Sequence, residues 1–459
     1  MKRSMLVLVL AMLGLSPAVI ADDDAGRSAA AVEPRRHEEA DTPNIRGIYV
    51  VGGTETLTDL EATALAAALD LPGVDGLVLV VGWDAVEPTR GHFAWEQTDQ
   101  NPLDKWMRMA ISRGKKVELN IVAFRTPEWL FQSEPGFTPA LRLDFIYPRS
   151  TDCATHREEI IAAPWDPAFL SEWDAMLAAV ARHLKGTRVY DAVHHEYIAA
   201  YEAIPILRLT GINLDSDELH LPSYQLPPDQ LPPNPKTVAC TDAVDIWLNV
   251  AKPAYRPSRL LDAWDAITSS FKRSFHDKYF SVAIIDSTHP FPPIDDHGHI
   301  ITDLQGLSPI QNLPMLELVR EKFPGRLVIQ NNSLYANEPA RSETIAFAQG
   351  LKTLIAFQTN EDADYPDTGP PNVVGKGASC GKRGADSPTF CTLAANDGPV
   401  FLNMLEMGIF PLGKDHCLRA QYIEVFVPNV NAFPDETELA HAELTTPRCP
   451  DDHDIQPSQ

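Results

Sequence analysis

The sequence predicts an α/β protein of the (β/α)8 TIM-barrel class with long loops on the C-terminal face, and three observations support this. From Ile45 onward, strand-like segments alternate with helix-like segments, the pattern of a parallel sheet with crossover helices. The run Leu77–Val81 is continuously apolar, which is typical of a strand buried on both faces. Eight strand–helix units follow one another without an internal linker. An open, doubly wound sheet is the alternative, although no glycine-rich phosphate loop follows any strand.

The eight predicted strands are short apolar runs bounded by glycine, proline or polar residues: Ile45–Val51, Leu77–Val81, Val117–Ala123, Ile204–Thr210, Phe280–Ile285, Leu327–Gln330, Thr353–Phe357 and Tyr422–Val427. Helices are predicted where apolar residues recur at helical spacing, at about 57–68, 103–111, 169–184, 258–275, 313–322, 342–351, 400–407 and 436–444. Ser258 is the expected N-cap of the fourth helix.

Composition places the chain among ordinary globular proteins. It has 459 residues, of which 44% are hydrophobic and 22% charged, enough for one large core. The formal net charge of −25 repels nucleic acid and anionic lipid and favours a neutral substrate. We therefore expect no nucleic-acid partner.

The first 21 residues have the features of a secretory signal peptide. Lys2 and Arg3 precede the apolar run Met5–Leu15, and Val19-Ile20-Ala21 provides a cleavage site. The apolar run is too short to span a membrane, so we expect a secreted or periplasmic protein, with a retained anchor as the alternative. The remaining predicted segments are a flexible linker at 22–44, the catalytic barrel at 45–445 and a C-terminal tail at 446–459.

The chain has six cysteines, an even number that predicts disulfide bonds in an exported protein. Cys380–Cys391 would close a short loop, and Cys417–Cys449 could tie the tail to the barrel. The sequence leaves fifteen pairings open. The cysteine spacings are not typical of a zinc site.

Two glutamates follow strands at which a barrel displays its active site. Glu218 comes after strand four and Glu361 after strand seven, which we expect on opposite walls of the mouth. A pair of carboxyl groups about 5–5.5 Å apart can cleave a glycosidic bond with retention, and about 6.5–9.5 Å apart with inversion. Glu202, at the start of strand four, lies at the wrong end for catalysis.

Several motifs resemble the β-galactosidase-like clan A of glycoside hydrolases over residues 45 to about 440. They are W-x-x-x-E-P-x-x-G-x-F from Trp83 to Phe93, T-P-x-W at 126–129, a glutamate after each of strands four and seven, and Tyr-Ile-Glu-Val at strand eight. The resemblance implies that Glu218 is the acid/base and Glu361 the nucleophile of a retaining enzyme without a cofactor. Clan members usually have Asn before the acid/base, whereas this chain has Asp217. That departure motivates a second hypothesis, a carbohydrate-binding barrel without catalysis.

Further residues are candidates for contacts with a carbohydrate substrate. Trp83 and Trp129 could stack on sugar faces, although core packing is an equal alternative for both. The candidate hydroxyl ligands follow strands five, six and seven: His289, Asn331, Asn332, Gln358 and Asn360. Glu424, within strand eight, is the reserve nucleophile, and it could instead belong to a core network. Glu87 is expected to brace the loop after strand two.

A third hypothesis is a metal-dependent hydrolase that uses His297 and His299. The spacing of these two histidines fits a metal ligand pair, but they lie in a proline-rich loop after strand five, whereas such barrels place the pair after strand one. We therefore expect no metal and favour the glycosidase interpretation. No protein partner can be inferred.

Overall fold

The computed structural model of this chain describes residues 44–53, 57–98, 101–123, 125–148, 156–212, 246–284, 294–299, 301, 307–334, 342–359, 365–366, 379–382, 389–392 and 398–446. All of these residues belong to the unit Pro43–Gln459. The predicted signal peptide, nearly all of the linker and nearly all of the tail lie outside the described residues and stay predictions. Among the helices in the described ranges, none is both long enough and apolar enough to cross a membrane.

Eight parallel strands close into a barrel, which confirms the predicted class and rules out the open sheet. In chain order they are β1 Gly47–Gly53, β2 Gly76–Gly82, β3 Lys116–Val122, β4 Ile206–Arg208, β5 Tyr279–Ile284, β6 Leu327–Leu334, β7 Leu354–Thr359 and β8 Tyr422–Phe426. Each strand pairs with its neighbours in the chain, and β1 pairs with β8 from Gly47↔Tyr422 to Val51↔Phe426.

One long helix follows each barrel strand. The helices are α1 Asp59–Leu69, α2 Pro102–Ile111, α3 Pro167–Gly186, α4 Pro257–Ser274, α5 Leu307–Lys322, α6 Ser342–Leu351, α7 Gly398–Ile409 and α8 Pro434–Thr445. Four of them begin with proline, whose fixed φ suits the first helical position and whose missing N–H is not needed there. For this reason α4 begins at Pro257 with Arg256 as its N-cap, and Ser258, the expected N-cap, is the second helical residue.

Alternation along the strands creates two cores. Side chains at every second strand position point into the barrel, and the others pack against the helices. The interior cluster consists of aliphatic residues and two tyrosines: Ile45, Tyr49, Val78, Ile206, Val328, Leu354, Ala356 and Tyr422. The larger cluster lies between the strands and the helices. The barrel is therefore a packed core, and its ligand-accessible part is confined to one end.

The observed strand ends lie within two residues of the predicted ones, except for the end of β6, which continues to Leu334. β4 covers only three residues, Ile206–Arg208. β6 and β7 continue past their predicted ends because main-chain pairing persists through Asn331↔Phe357 to Leu334↔Thr359. Polar residues thus continue these two strands, which apolar patterning alone did not indicate.

Short antiparallel strands lie in segments that connect barrel strands to the helices that follow them. Arg142–Pro148 pairs with His156–Ala162 between β3 and α3, and a small sheet lies between β7 and α7. In that sheet Cys380 is directly opposite Cys391, the pair expected to form a disulfide. Cys417 is disulfide-bonded. Both predicted pairings stay predictions.

Gly76, the first residue of β2, should not tolerate a side chain. A methyl group there would lie 2.5 Å from the Tyr49 ring and 2.9 Å from the Lys116 carbonyl oxygen. We expect Gly76→Ala to lower the free energy of unfolding by about 1–3 kcal/mol, because the core cannot absorb the added volume. Urea denaturation of the variant and the wild type measures this change.

Gly186, the last residue of α3, is the matched control, since an added Cβ there would meet no heavy atom within 4 Å. We expect Gly186→Ala to leave stability unchanged or raise it by up to about 1 kcal/mol. Equal effects of the two substitutions would contradict the packing described for Gly76.

Candidate active site at the barrel mouth

The carboxyl ends of the strands meet at the mouth of the barrel, the end at which barrel enzymes bind their substrates. Five partly buried residues lie on the inward-facing register at strand ends, and we call them the mouth floor: Val51 on β1, Val80 on β2, Asn332 on β6, Gln358 on β7 and Phe426 on β8. Strands β8, β1 and β2 are consecutive in the ring and supply the apolar half. The adjacent strands β6 and β7 supply two amides. The mouth floor is therefore amphipathic and uncharged.

Beneath the mouth floor, the barrel interior contains three buried charged side chains, Glu118, Arg208 and Glu424, each at most 1% exposed. The Arg208 Nη2 atom lies 2.5 Å from Glu424 Oε1 and 3.2 Å from Glu118 Oε1. Arg208 is on β4 and Glu424 on β8, directly across the ring, so the contact between these two side chains spans the barrel. We call the three residues the buried triad.

Neutral polar groups surround the buried triad. Ser281 Oγ donates to Glu118 Oε1 at 2.9 Å. Tyr422 donates its hydroxyl to Gln330 Oε1 at 2.7 Å, and Gln330 Nε2 donates to Asn332 Oδ1 at 2.9 Å. Hydrogen bonds thus connect the buried interior to Asn332 in the mouth floor.

Two carboxyl groups and one guanidinium cannot all be charged in this interior without a net negative charge. Burial raises the pKa of Glu424 well above its usual range. Arg208 and a hydrogen bond from Gln330 lower it, but the Glu118 carboxylate and a hydrogen bond with Glu118 raise it further. The raised pKa of Glu424 favours its neutral form, in which the interior carries less net negative charge. This is a structural arrangement, since Glu424 is sealed from the mouth.

The motif after β2 forms a rigid loop. Glu87 is 3% exposed, and its carboxylate accepts hydrogen bonds from Trp83 Nε1 at 3.0 Å and from the Gly91 amide at 2.7 Å. Burial raises the pKa of Glu87, although the hydrogen bonds from Trp83 and Gly91 oppose the shift. Gly91 has φ +72°, a conformation that favours glycine. Glu87 thus has the expected bracing contacts.

Trp83 and Trp129 lie in the core, where they do not present a face to the mouth. Trp83 is fully buried and Trp129 is 5% exposed, with the two ring centroids 5.9 Å apart in an edge-to-face contact. Trp129 Nε1 donates to the Glu87 carbonyl oxygen at 2.8 Å, which ties the loop after β3 to the loop after β2. Their burial favours the core-packing alternative over sugar stacking, and Phe426 is the aromatic residue of the mouth floor.

Asn331 and Gln358, both expected to contact a sugar, lie on different faces of the barrel wall. Asn331 is fully buried, and its Nδ2 donates to Thr344 Oγ1 on α6 at 3.0 Å, so it faces the helix layer. Because side chains alternate, the adjacent residue Asn332 faces the mouth. Gln358 also lies in the mouth floor, next to Glu424 in the pairing of β7 with β8.

The two proposed catalytic glutamates, Glu218 and Glu361, lie outside the described residues, as do His289 and Asn360. Glu361 follows the last residue of β7, Thr359, by two positions, and Glu218 follows the described Ile212 by six. The strands that lead to them are three positions apart in the ring; β8, not β7, is directly across from β4. The expectation of opposite walls is corrected accordingly. Their roles stay proposals.

The loop that contains His297 and His299 is organised as a turn. Asp295 Oδ1 accepts hydrogen bonds from the backbone amides of His297 and His299, and its Oδ2 lies 3.2 Å from His299 Nδ1. The two imidazole centroids are 6.1 Å apart. In the part of the chain that the structure describes, no three His, Cys, Asp or Glu side chains form a group that could hold a metal ion.

Sequence reasoning missed Glu118, Arg208 and Gln330, although a signal for them was present. In Lys116–Val122, Glu118 and Asn120 alternate with Val117, Leu119 and Ile121, and Arg208 stands between two leucines. A charged residue at an inward position of a buried strand requires a buried partner. Counting such positions would have indicated a charged cluster, although not which residues pair.

Comparisons with known proteins find similarity only among solved structures. No family model matches the chain, and no curated protein does. A GH10 endoxylanase from a sugarcane soil metagenome is 10% identical with a TM-score of 0.45, covering 87% of this chain and 96% of its own. A GH10 protein from Paenibacillus barcinonensis is 11% identical with a TM-score of 0.43, covering 83% and 84%.

The β-galactosidase of the psychrophilic Marinomonas ef1 is 12% identical with a TM-score of 0.43, covering 86% of this chain and 59% of its own. At these values the similarities carry no argument about function, which must come from the site.

Glu424→Gln should preserve the fold and change its pH dependence. Folding raises the pKa of Glu424, so the folded protein binds more protons than the unfolded chain above the unfolded-state pKa of about 4.3. The wild type therefore loses stability as pH rises from there toward the folded-state pKa. Glutamine mimics the protonated acid and removes this loss. The urea midpoint of Glu424→Gln should increase relative to that of the wild type as the pH is raised from about 5 to 8.

Arg208→Met is the contrasting variant. It leaves the carboxyl groups of Glu118 and Glu424 buried without their cation, and we expect a loss of about 3–5 kcal/mol in the free energy of unfolding.

For Glu424→Gln, a stability difference from the wild type that does not change with pH would contradict the raised pKa of Glu424.

Proposed function

We propose that this chain is an exported, retaining glycoside hydrolase that binds a neutral sugar in the barrel mouth. The observation that carries the proposal is the amphipathic mouth floor, with Val51, Val80 and Phe426 on one side and Asn332 and Gln358 on the other. A pyranose ring has apolar C–H faces and hydroxyl edges, and such a floor can accept both. Because the mouth floor has no charge and the chain has a net charge of −25, an anionic sugar is disfavoured.

Glu218 and Glu361 supply the chemistry in this proposal. In the first step the Glu361 carboxylate attacks the anomeric carbon, while Glu218 donates its proton to the leaving glycosidic oxygen as the C–O bond breaks. In the second step the Glu218 carboxylate takes a proton from a water molecule. That water attacks the anomeric carbon and releases Glu361 and the sugar. The resemblance to clan A supports these roles.

Glu424, the reserve nucleophile, has no role in this reaction. A nucleophile must reach the anomeric carbon as a carboxylate, whereas Glu424 is fully buried, has a pKa raised well above its usual range and contacts Arg208. Glu424 instead supports the mouth floor from below. The described part of the barrel thus contributes binding, and catalysis is assigned to the loops.

A carbohydrate-binding barrel without hydrolysis is the second candidate. One observation favours it: the inward-facing residues at the described carboxyl ends of β4 and β7 are Thr210 and Gln358, both neutral. If Glu218 and Glu361 do not approach the mouth floor, the same site would bind a sugar without cleaving it. The presence of Asp217 in place of the usual Asn also favours this second candidate.

Export is part of the proposal. Lys2, Arg3 and the apolar run Met5–Leu15 support a secretory signal, and the disulfide bond of Cys417 suits an oxidising compartment. Expression of the full chain with and without residues 1–21 in a bacterial host, followed by fractionation, tests it. Retention of both forms in the cytoplasm would contradict export.

The test of function is hydrolysis of a panel of aryl glycosides by wild type, Glu218→Gln and Glu361→Gln. Each substitution should lower kcat at least about 100-fold, because it removes the proton carrier or the nucleophile. With Glu218→Gln, azide should restore turnover on an activated aryl glycoside and yield a glycosyl azide of retained configuration, because azide needs no general base.

Glu202→Gln is the matched control, since Glu202 is exposed on the amino side of β4 and should not affect catalysis. Full activity of both Glu218→Gln and Glu361→Gln would overturn the roles assigned to these two glutamates. Binding of sugars by a wild type that cleaves none would favour the second candidate. Loss of hydrolysis with a chelator would favour the metal hypothesis for His297 and His299.

A further inference from the structure

A pair of charged side chains lies on the inward side of β2 at the mouth. Side chains alternate along this strand: Val80 faces inward and Val81 packs against the helices, so the last residue, Gly82, faces inward again. A Cβ atom added to Gly82 would lie 2.3 Å from Asp84 Oδ1 and 2.9 Å from Arg125 Nε. These two side chains therefore occupy the inward space beside Gly82, next to Val80 of the mouth floor.

Arg125 holds Asp84 in this place through its backbone and its side chain. The Asp84 amide donates to the Arg125 carbonyl oxygen at 3.0 Å. Arg125 Nη2 donates to Asp84 Oδ2 at 3.2 Å, and this ion pair has no net charge. Because Asp84 follows β2 and Arg125 follows β3, the two contacts join neighbouring strand ends and hold the carboxylate beside the mouth floor.

The Asp84 carboxylate has capacity for a further hydrogen bond. The Asp84 side chain is 40% exposed and the Arg125 side chain 38% exposed, so a ligand in the mouth can reach the pair. Asp84 Oδ1 is buried and has no hydrogen-bond partner within the described ranges of the chain, so the exposed oxygen is Oδ2. A carboxylate can accept about four hydrogen bonds in total, two at each oxygen. Asp84 Oδ2 can therefore accept a second donor beside Arg125.

We propose that Asp84 is a substrate-binding residue whose Oδ2 atom accepts a hydrogen bond from a hydroxyl group of the sugar, and that Gly82 and Arg125 position it. The inference rests on the proposed function, since it names a contact within the same mouth. A hydroxyl donor suits this group because hydrogen bonds to an ionised acceptor are stronger than those between neutral groups. The contact selects a sugar with a hydroxyl beside β2, next to the ring face that lies on Val51 and Val80.

The test compares Asp84→Asn with Asp70→Asn by isothermal titration of the sugar that wild type binds best. Asp84→Asn keeps the size of the side chain but removes the charge of the acceptor, so the affinity should fall about tenfold or more. Asp70 forms an ion pair with Arg113 at 2.8 Å, and it lies on the amino side of β2, away from the mouth. Asp70→Asn removes a comparable exposed ion pair and should leave the affinity within about twofold of wild type.

A panel of monodeoxy sugars separates a direct contact from a general loss of structure. The deoxy sugar that lacks the contacted hydroxyl should bind wild type about tenfold more weakly than the parent sugar does. Asp84→Ala removes the acceptor, so this variant should bind the parent and the same deoxy sugar with affinities within about twofold of each other. Every other deoxy sugar should lose affinity by the same factor for the variant and for wild type.

Gly82→Ala tests the positioning of the pair. The added Cβ would displace Asp84 and Arg125 without removing either charge. The affinity for the parent sugar should therefore fall, and the discrimination against the same deoxy sugar should decrease, although Asp84 is intact. If Gly82→Ala fails to fold, Arg125→Met removes the side-chain partner of Asp84 and should have the same two effects.

Two results would overturn the inference while the proposed function stands: Asp84→Asn binds the parent sugar like wild type, or Asp84→Ala discriminates against the deoxy sugar as strongly as wild type does. If wild type binds no sugar, the proposed function itself fails, and the role of Asp84 fails with it.

Discussion

Charge balance inside the barrel is the constraint on which the described structure depends. Arg208 joins β4 to β8 across the ring, and Glu118 joins it from β3, so three strands are held by one guanidinium. The pKa of Glu424 is raised well above its usual range by burial and by Glu118, and its neutral form limits the net charge that the interior must hold. One oxygen of each carboxyl group contacts Arg208, whereas the second oxygens, Glu118 Oε2 and Glu424 Oε2, are buried without a hydrogen-bond partner among the described residues.

The residues at the mouth fall into two groups, those that support the loops and those that are proposed to contact a ligand. Glu87, Trp83 and Trp129, which carry much of the resemblance to a glycosidase clan, form a brace that holds the loops after β2 and β3. Recognition is assigned to residues with less distinctive sequence signals, such as Asn332 and Phe426. A motif can thus identify a scaffold through the residues that build it, while the residues proposed to contact a ligand lie outside the fixed positions of the motif.

The barrel and the order of its elements could be predicted because apolar runs and helical periodicity are local properties. All eight predicted strands overlap the observed ones. The ends of β6 and β7 could not be predicted, since they depend on main-chain pairing with a neighbour. The choice between Asn331 and Asn332 depended on those ends, because one residue reverses the face. The buried triad could be anticipated as a cluster from Glu118 and Arg208, but its pairing across the ring required the closed barrel.

The aromatic packing behind the β2 loop has an optical consequence. Trp83 lies 5.9 Å from Trp129 and 5.3 Å from Trp173, both at steep interplanar angles, so the three indoles form a coupled and asymmetric chromophore. Its near-ultraviolet circular dichroism should report whether the brace between the loops is intact. Because the mouth floor contains phenylalanine as its aromatic residue, this signal should respond to melting of the barrel wall and stay nearly silent when a sugar binds.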